Sequence, residues 1–230
     1  MTPTATPARV RVWDVPVRLF HWLLLVLIGF SWWSGEQGNE WMEYHEWSGC
    51  AVLTLVLFRI AWGFVGSDTA RFAHFVRGPR VSYAYFRSVL QRQPKAYLGH
   101  NPLGGWMILS LMLVLLVQTI TGLFGNDDDA YEAPLSHWLS HDTSSLITTL
   151  HAYNFDLLLG LIGLHVAAVL THQLLRRDDM IMAMFTGVKT RITGATAGRM
   201  VSTWRALVLL GFMAALVYAL LWMGGGASDL

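Results

Sequence analysis

Residues 150–170 read LHAYNFDLLLGLIGLHVAAVL, and this stretch decides the fold. A helix needs about 20 mostly apolar residues to cross the hydrocarbon core of a bilayer, and the segment has that length. Its two histidines, His151 and His165, are fourteen residues apart. That spacing corresponds to a rise of about 21 Å and lies within about 40° of four whole turns. We therefore predict a membrane-spanning helix that carries two imidazoles on one face, one near each membrane surface.

The rest of the chain has the same character. Of its 230 residues 54% are hydrophobic and 13% are charged, whereas an average soluble domain has about 25% charged residues. This composition disfavours a soluble enzyme, a nucleic-acid-binding domain and a disordered chain. It predicts an all-α, polytopic membrane bundle, with a four-helix core in residues 1–187 and a linker with a fifth helix in residues 188–230. The predicted helices cover about 15–33, 45–65, 103–124, 146–175 and 204–223.

The distribution of Lys and Arg predicts the orientation. Fifteen of the sixteen basic residues precede the first helix, lie at its start, or lie in the connections between helices two and three and between helices four and five. By the positive-inside rule the N-terminus is cytoplasmic and the C-terminus is outside. The outer side is acidic, and is either an ordinary solvated surface or a docking face for a basic soluble partner. Its acidic residues are Glu36, Glu40, Glu43, Glu46, Asp127, Asp128, Asp129, Glu132, Asp142 and Asp229.

Two further histidines match the depths of the first two. His21 lies early in the first helix, near the inner surface, and pairs in depth with His165; His45 opens the second helix and pairs with His151. Two imidazole pairs at two depths are what two stacked bis-histidine b-type haems require, and the implied function is electron transfer across the membrane. A lone intramembrane histidine is more often a satisfied polar residue, so the prediction depends on the set. His172 is a rival inner ligand.

Other polar residues are candidates for the cofactor environment. Arg59 follows His45 by fourteen residues, on the same helix face and at the depth of the inner haem, and Arg18 lies one turn before His21. Either arginine could pair with haem propionates, although Arg18 could equally be a snorkelling interfacial residue. His100 opens the third helix and could serve a propionate or a quinone.

Small residues could let the flat macrocycle or another helix approach closely, although ordinary helix packing explains them at least as well. They are Gly49, Gly160, Gly163 and Ala167.

Missing motifs narrow the chemistry. The single cysteine, Cys50, excludes an intrachain disulfide, and without a C-x-x-C-H sequence there is no covalent c-type haem. There is also no Walker A sequence, no H-E-x-x-H and no serine nucleophile elbow. Independent catalysis is therefore doubtful, and any quinone oxidoreductase activity would belong to the haems.

Five stretches together resemble the bacterial cytochrome b561 and nickel-hydrogenase cytochrome b family. They are WDVPVRLFHW (13–22), HEWSGCAVLTLVLFRIAWGFVG (45–66), FVRGPR (75–80), YLGHNPLGGWM (97–107) and residues 150–170, and the resemblance covers about Val12 to Gly187.

The resemblance implies an inner-membrane bundle with two non-covalent haems b. By position, His21 and His165 would hold the cytoplasmic-side haem, and His45 and His151 the outer one. It also implies electron exchange between the quinone pool and a periplasmic hydrogenase or c-type cytochrome, and some members of the family oxidise superoxide.

The fifth helix departs from the compact four-helix members that act alone, and could contact a partner subunit or close the bundle. Three alternatives to the electron relay stay open: a superoxide:quinone oxidoreductase acting alone, a histidine-based proton channel or transporter, and a membrane anchor for a peripheral enzyme. The channel predicts a colourless protein. The anchor predicts that replacing His151 or His165 leaves the function intact. A homodimer is also a possibility to test.

Overall fold

The computed structural model describes residues 9–91, 97–126, 131–176, 178–189 and 198–225. The only sheet in these ranges pairs β1 (Val10–Arg11) with β2 (Val188–Lys189) in antiparallel register. The prediction of an all-α bundle is confirmed. The α-helices are α1 Val15–Gly35, α2 Met42–Val65, α3 Phe72–Phe75, α4 Pro79–Leu90, α5 Pro102–Gly122, α6 His141–Arg176, α7 Met180–Thr186 and α8 Thr203–Met223.

Five helices, α1, α2, α5, α6 and α8, are long and apolar enough to cross a membrane, as a multi-pass membrane protein requires. Their bounds agree with the predicted spans to within a few residues, except that α6 begins at His141 rather than near 146. Its first turn is polar, so hydropathy does not reveal it. The Ser140 hydroxyl lies 2.8 Å from the Thr143 hydroxyl and 3.4 Å from the Thr143 backbone nitrogen, and so supports this early start.

Side-chain caps define where two spanning helices begin. Asp14 accepts a hydrogen bond from the Val17 backbone N–H at 2.8 Å, and Asn101 accepts one from Gly104 at 2.8 Å. The second Asp14 oxygen accepts from the Trp62 indole N–H at 3.0 Å. That bond joins the start of α1 to the end of α2 in the buried core.

The helices pack in a definite order. Backbone packing is extensive between α1 and α2, between α2 and α5, and between α5 and α6, and it is sparse between α1 and α6. Side chains link α1 to α6, for example Trp32 and Phe155, whose ring centroids are 5.9 Å apart. The fifth spanning helix, α8, packs against α2, where Val217 and Leu221 join a small apolar cluster with Leu53.

The bundle has two chemically distinct ends. We call the end where α1, α5 and α8 begin the basic end, and the opposite end, where α2 and α6 begin, the acidic end. At the basic end α7 folds back on α1: Arg18 donates to the carbonyl oxygens of Met184 and Phe185, and Phe185 stacks on Trp22 with centroids 4.2 Å apart. Gly187 ends α7 with φ 81°, and a Cβ there would lie 2.7 Å from a backbone oxygen, so the turn requires glycine.

A second contact at the basic end holds the segment that leads into α8. The Asp68 carboxylate accepts from the Arg199 backbone N–H at 2.8 Å, and the Asp68 N–H donates to the Arg199 carbonyl at 3.1 Å. Beside them the Ser67 hydroxyl accepts from the Val201 N–H at 2.9 Å. These bonds attach the start of α8 to the loop after α2.

Candidate functional site

At the acidic end the structure brings His45 and His151 together. Their ring centroids are 6.3 Å apart and their planes are inclined at 74°. Two imidazoles on one metal, each with a bond of about 2 Å, have ring centres about 6 Å apart. The spacing of this acidic-end pair therefore fits two axial ligands of one iron.

The hydrogen bonding of His45 leaves one ring nitrogen available. His45 Nδ1 lies 2.8 Å from the carbonyl oxygen of Ser31, on the last turns of α1. A carbonyl can only accept, so Nδ1 carries the proton and donates it. Nε2 then keeps its lone pair, which is the arrangement that metal-binding histidines usually show.

His151 has the same tautomer, on the basis of two contacts. Its Nδ1 lies 3.1 Å from the Thr121 hydroxyl, and its Nε2 lies 3.0 Å from the amide nitrogen of Gln118. The amide oxygen of Gln118 accepts from Asn154 at 2.6 Å, so the nitrogen is the amide atom that faces the ring. Because an amide nitrogen can only donate, Nε2 of His151 is the unprotonated ring nitrogen, and its lone pair accepts the Gln118 N–H. An iron ligand needs that lone pair, so an iron bound at Nε2 would take the place of that hydrogen bond.

Two glycines make room for this pair. A Cβ on Gly35 would lie 3.0 Å from Nδ1 of His45, and a Cβ on Gly122 would lie 3.1 Å from Cε1 of His151. Either contact is tighter than ordinary packing allows. The sequence did not single out Gly35 or Gly122, because each is the last residue of its helix, α1 or α5, where glycine is commonly a terminator.

The three polar side chains around His151 were also missed. Thr121, Gln118 and Asn154 stand in otherwise apolar spans. Polar residues in membrane helices are themselves a signal, but the sequence does not say which imidazole they contact.

At the basic end His21 and His165 lie within electrostatic range of each other, on α1 and α6. His21 Nδ1 is buried and has no hydrogen-bond partner in the described part of the chain. A buried polar atom left without a partner is costly and calls for an explanation. A site that is completed by a cofactor provides one. The rival ligand His172 is partly buried two turns further along α6.

Arg59 and Arg18 have different surroundings. Arg59 is 3% exposed, its Nη1 has no hydrogen-bond partner among the described residues, and its guanidinium carbon lies 5.4 Å from the Phe72 ring centroid. This buried cation suits an anionic group such as a haem propionate. Arg18 instead donates to carbonyl oxygens of α7. The sequence had suggested a propionate partner or a snorkelling residue, and neither interpretation included this contact.

His100 packs between two aromatic rings near the basic-end pair. Its ring centroid is 4.7 Å from that of Trp13 and 5.0 Å from that of Phe75. Burial, followed by the positive charge of Arg59, lowers the pKa of His100 to about 3, so the ring is neutral at pH 7. A propionate role and a quinone role both stay predictions for this residue.

The small residues of α6 point away from the histidines. Gly160, Gly163 and Ala167 lie about 120–180° around the helix from His151, and all three are exposed. A Cβ on Gly49, Gly160 or Gly163 would meet nothing within 4 Å. None of these glycines therefore backs an imidazole.

The acidic end presents carboxylates that form no salt bridge within the described ranges. Glu46 is partly buried and accepts from the Tyr131 hydroxyl at 2.8 Å. Asp127, Asp128, Asp129 and Asp229 lie outside the described residues. The exposed members are Glu36, Glu40, Glu43, Glu132 and Asp142.

The chain is similar to known families and proteins. A family model described as prokaryotic cytochrome b561 matches residues 12–187. A probable Ni/Fe-hydrogenase B-type cytochrome subunit of Rhizobium leguminosarum bv. viciae is 30% identical over 77% of this chain and 87% of its own length. The probable Ni/Fe-hydrogenase 1 B-type cytochrome subunit of Escherichia coli K12 is 23% identical over 82% of this chain and 94% of its own length. No solved structure gives a significant match.

Proposed function

The chain belongs to the prokaryotic cytochrome b561 family, a family of b-type membrane cytochromes, and from that premise we propose that it relays electrons through two haems b. In this proposal His21 and His165 would hold one haem at the basic end, and His45 and His151 would hold the other at the acidic end. The electrons pass between the quinone pool and a redox protein on the acidic side.

One observation carries the proposal: the acidic-end pair has the spacing of two ligands on one metal, and both of its Nε2 atoms are unprotonated. The Gln118 N–H that bonds Nε2 of His151 would give way to the iron. A haem held by two histidines supplies one-electron oxidation and reduction and leaves no open position for oxygen chemistry. This favours electron relay over a superoxide reaction at the iron.

The surrounding residues of the chain have definite tasks in this proposal. The Ser31 carbonyl and the Thr121 hydroxyl hold the ring protons of His45 and His151 on Nδ1. Arg59 supplies buried positive charge for a carboxylate at the basic end. Apolar side chains of α2 and α5 form part of the buried core of the bundle.

The charge distribution supports the proposed sides. The basic end faces the cytoplasm of a bacterial cell and the acidic end faces the periplasm, by the positive-inside rule. The exposed carboxylates at the acidic end suit a partner with a basic surface. The relatives' names point to a Ni/Fe-hydrogenase as that partner, and a c-type cytochrome is the other candidate. The quinone is proposed to bind near His100.

A pyridine haemochrome assay with redox difference spectra on the purified protein tests the proposal. We expect two haems b per chain, with one lost in both His21→Ala and His165→Ala and the other lost in both His45→Ala and His151→Ala. His74→Ala, at an exposed basic-end residue, is the matched control and keeps both haems. A colourless wild-type protein would overturn the proposal and favour a proton relay.

A further inference from the structure

We propose that Thr121 is a positioning residue that holds the tautomer of His151 and lowers the midpoint potential of the acidic-end haem. This inference rests on the proposed function, because it concerns the ligand field of a haem that the proposal assigns to His45 and His151. It adds a residue outside the ligand set and a property, the potential, that the ligands alone do not determine.

The hydroxyl of Thr121 is placed to accept a proton from the ring. Its Oγ1 lies 3.1 Å from His151 Nδ1, and it also lies 2.8 Å from the Val117 carbonyl and 3.0 Å from the Gln118 carbonyl of its own helix. A hydroxyl has one proton, and a threonine in a helix commonly donates it to the carbonyl one turn earlier. The oxygen then has a lone pair that faces the ring N–H.

The other side of the ring requires the same proton position. Gln118 donates its amide N–H to His151 Nε2 at 3.0 Å, and Asn154 holds the amide in that orientation through a 2.6 Å bond to its oxygen. Asn154 itself also donates to the Val114 carbonyl at 3.0 Å. Two contacts from different residues thus agree that the proton is on Nδ1 and the lone pair on Nε2.

A hydrogen bond from Nδ1–H changes the ligand electronically. As the acceptor draws the proton, the imidazole becomes a stronger electron donor, which stabilises oxidised iron more than reduced iron. The midpoint potential therefore falls. The partner ligand His45 donates to the Ser31 carbonyl, a backbone acceptor that no side-chain substitution removes. Among the described residues Thr121 is thus the side chain that accepts the ring proton of an acidic-end histidine.

The test compares two isosteric threonine substitutions on α5. Thr121→Val removes the acceptor beside His151. Thr119→Val is the matched control, because among the described residues the buried Thr119 hydroxyl bonds only the Leu115 and Leu116 carbonyls of its own helix. The midpoint potential of each haem is measured by redox titration of the purified full chain, and low-spin ferric EPR signals report the ligand field. The acidic-end haem is identified as the one that His45→Ala loses.

We expect Thr121→Val to shift the acidic-end potential to a more positive value and to alter that haem's EPR signal, with the basic-end potential unchanged. Thr119→Val should shift neither. Two haems with unchanged potentials in Thr121→Val would overturn the inference, as would an equal shift in Thr119→Val.

Loss of the acidic-end haem from Thr121→Val is also informative. Its restoration in Thr121→Ser, which keeps the hydroxyl, supports the positioning role, and failure of Thr121→Ser to restore it overturns that role. A wild-type protein without haem contradicts the proposed function instead, so the two failures are distinguishable.

Discussion

Gly122→Ala tests directly whether the acidic-end pair is a built ligand site. A Cβ at this position would lie 3.1 Å from Cε1 and 3.5 Å from Nδ1 of His151. The first distance is a few tenths of an ångström shorter than an ordinary contact, so the ring must move away from α5. Overpacking of this kind typically costs about 1–3 kcal/mol. If the bound form bears that cost, the affinity for the acidic-end haem falls by about 5- to 150-fold.

The matched control is Gly163→Ala on the outward face of α6, where a Cβ meets nothing within 4 Å. Gly163 lies inside α6, where alanine gains about 1 kcal/mol of helix propensity over glycine, whereas Gly122 is the last residue of α5 and gains less. The two variants are therefore compared by haem release, which reports the contact with the imidazole, and not by overall stability. Gly122 has no positive φ, and alanine is therefore not strained there.

Haem transfer to an excess of a haem-scavenging apoprotein, followed optically, measures the relative affinities. We expect Gly122→Ala to release the acidic-end haem faster than the wild type and to keep the basic-end haem, with Gly163→Ala like the wild type. Gly122→Val, with a larger side chain, should lose the acidic-end haem outright. An unchanged release rate in Gly122→Ala, or equal acceleration in Gly163→Ala, would refute the reasoning.

Two further predictions concern the basic end. Trp62→Phe removes the indole N–H that bonds Asp14 at 3.0 Å in the core. It should lower the free energy of unfolding, measured in detergent, by about 1–3 kcal/mol. Trp22→Phe loses a longer and weaker bond of 3.4 Å to the Met184 carbonyl, and should lower the free energy of unfolding by less. The pKa of Asp68 is lowered, chiefly because its carboxylate accepts the Arg199 N–H. The hydrogen bond therefore stabilises the folded chain at pH values above the ordinary carboxyl pKa of about 3.9. This stabilisation is lost as the pH falls through the lowered pKa and the carboxylate is protonated. Hydrogen exchange of the Arg199 amide, corrected for its intrinsic rate, should therefore lose protection in acid, and Asp68→Asn should remove this pH dependence; a variant that keeps the wild-type pH profile would contradict the assignment.

The sequence predicted the helices because each spanning segment carries its own local signal. An apolar run of sufficient length identifies a span. Helix geometry alone then places His151 and His165, which are fourteen residues apart, on one face of their helix. The order and direction of the spans were enough to predict that His21 lies at the same end as His165, and His45 at the same end as His151. The early start of α6 escaped this reasoning, because its first turn is polar and is stabilised by Ser140 rather than by apolar periodicity.

The sequence could not predict which side chains surround these histidines. Thr121 and Gln118 come from α5, Gly35 comes from α1, and they meet histidines on α6 and α2. Gly160 and Gly163, which the sequence did single out, lie on the face of α6 away from His151, where a Cβ would meet nothing within 4 Å. A composition signal can mark a glycine or a polar residue as unusual, but it does not say what that residue faces.

By itself, then, the sequence determined the number of candidate spans, the position of each histidine along its helix and the charge of each end, since these follow from hydropathy, the rise per residue and the placement of Lys and Arg. Only the tertiary structure decided which side chains touch each imidazole, which glycines make room for it and where α8 packs. Those contacts depend on how each helix is rotated and offset against its neighbour, and that rotation results from packing between residues far apart in the chain.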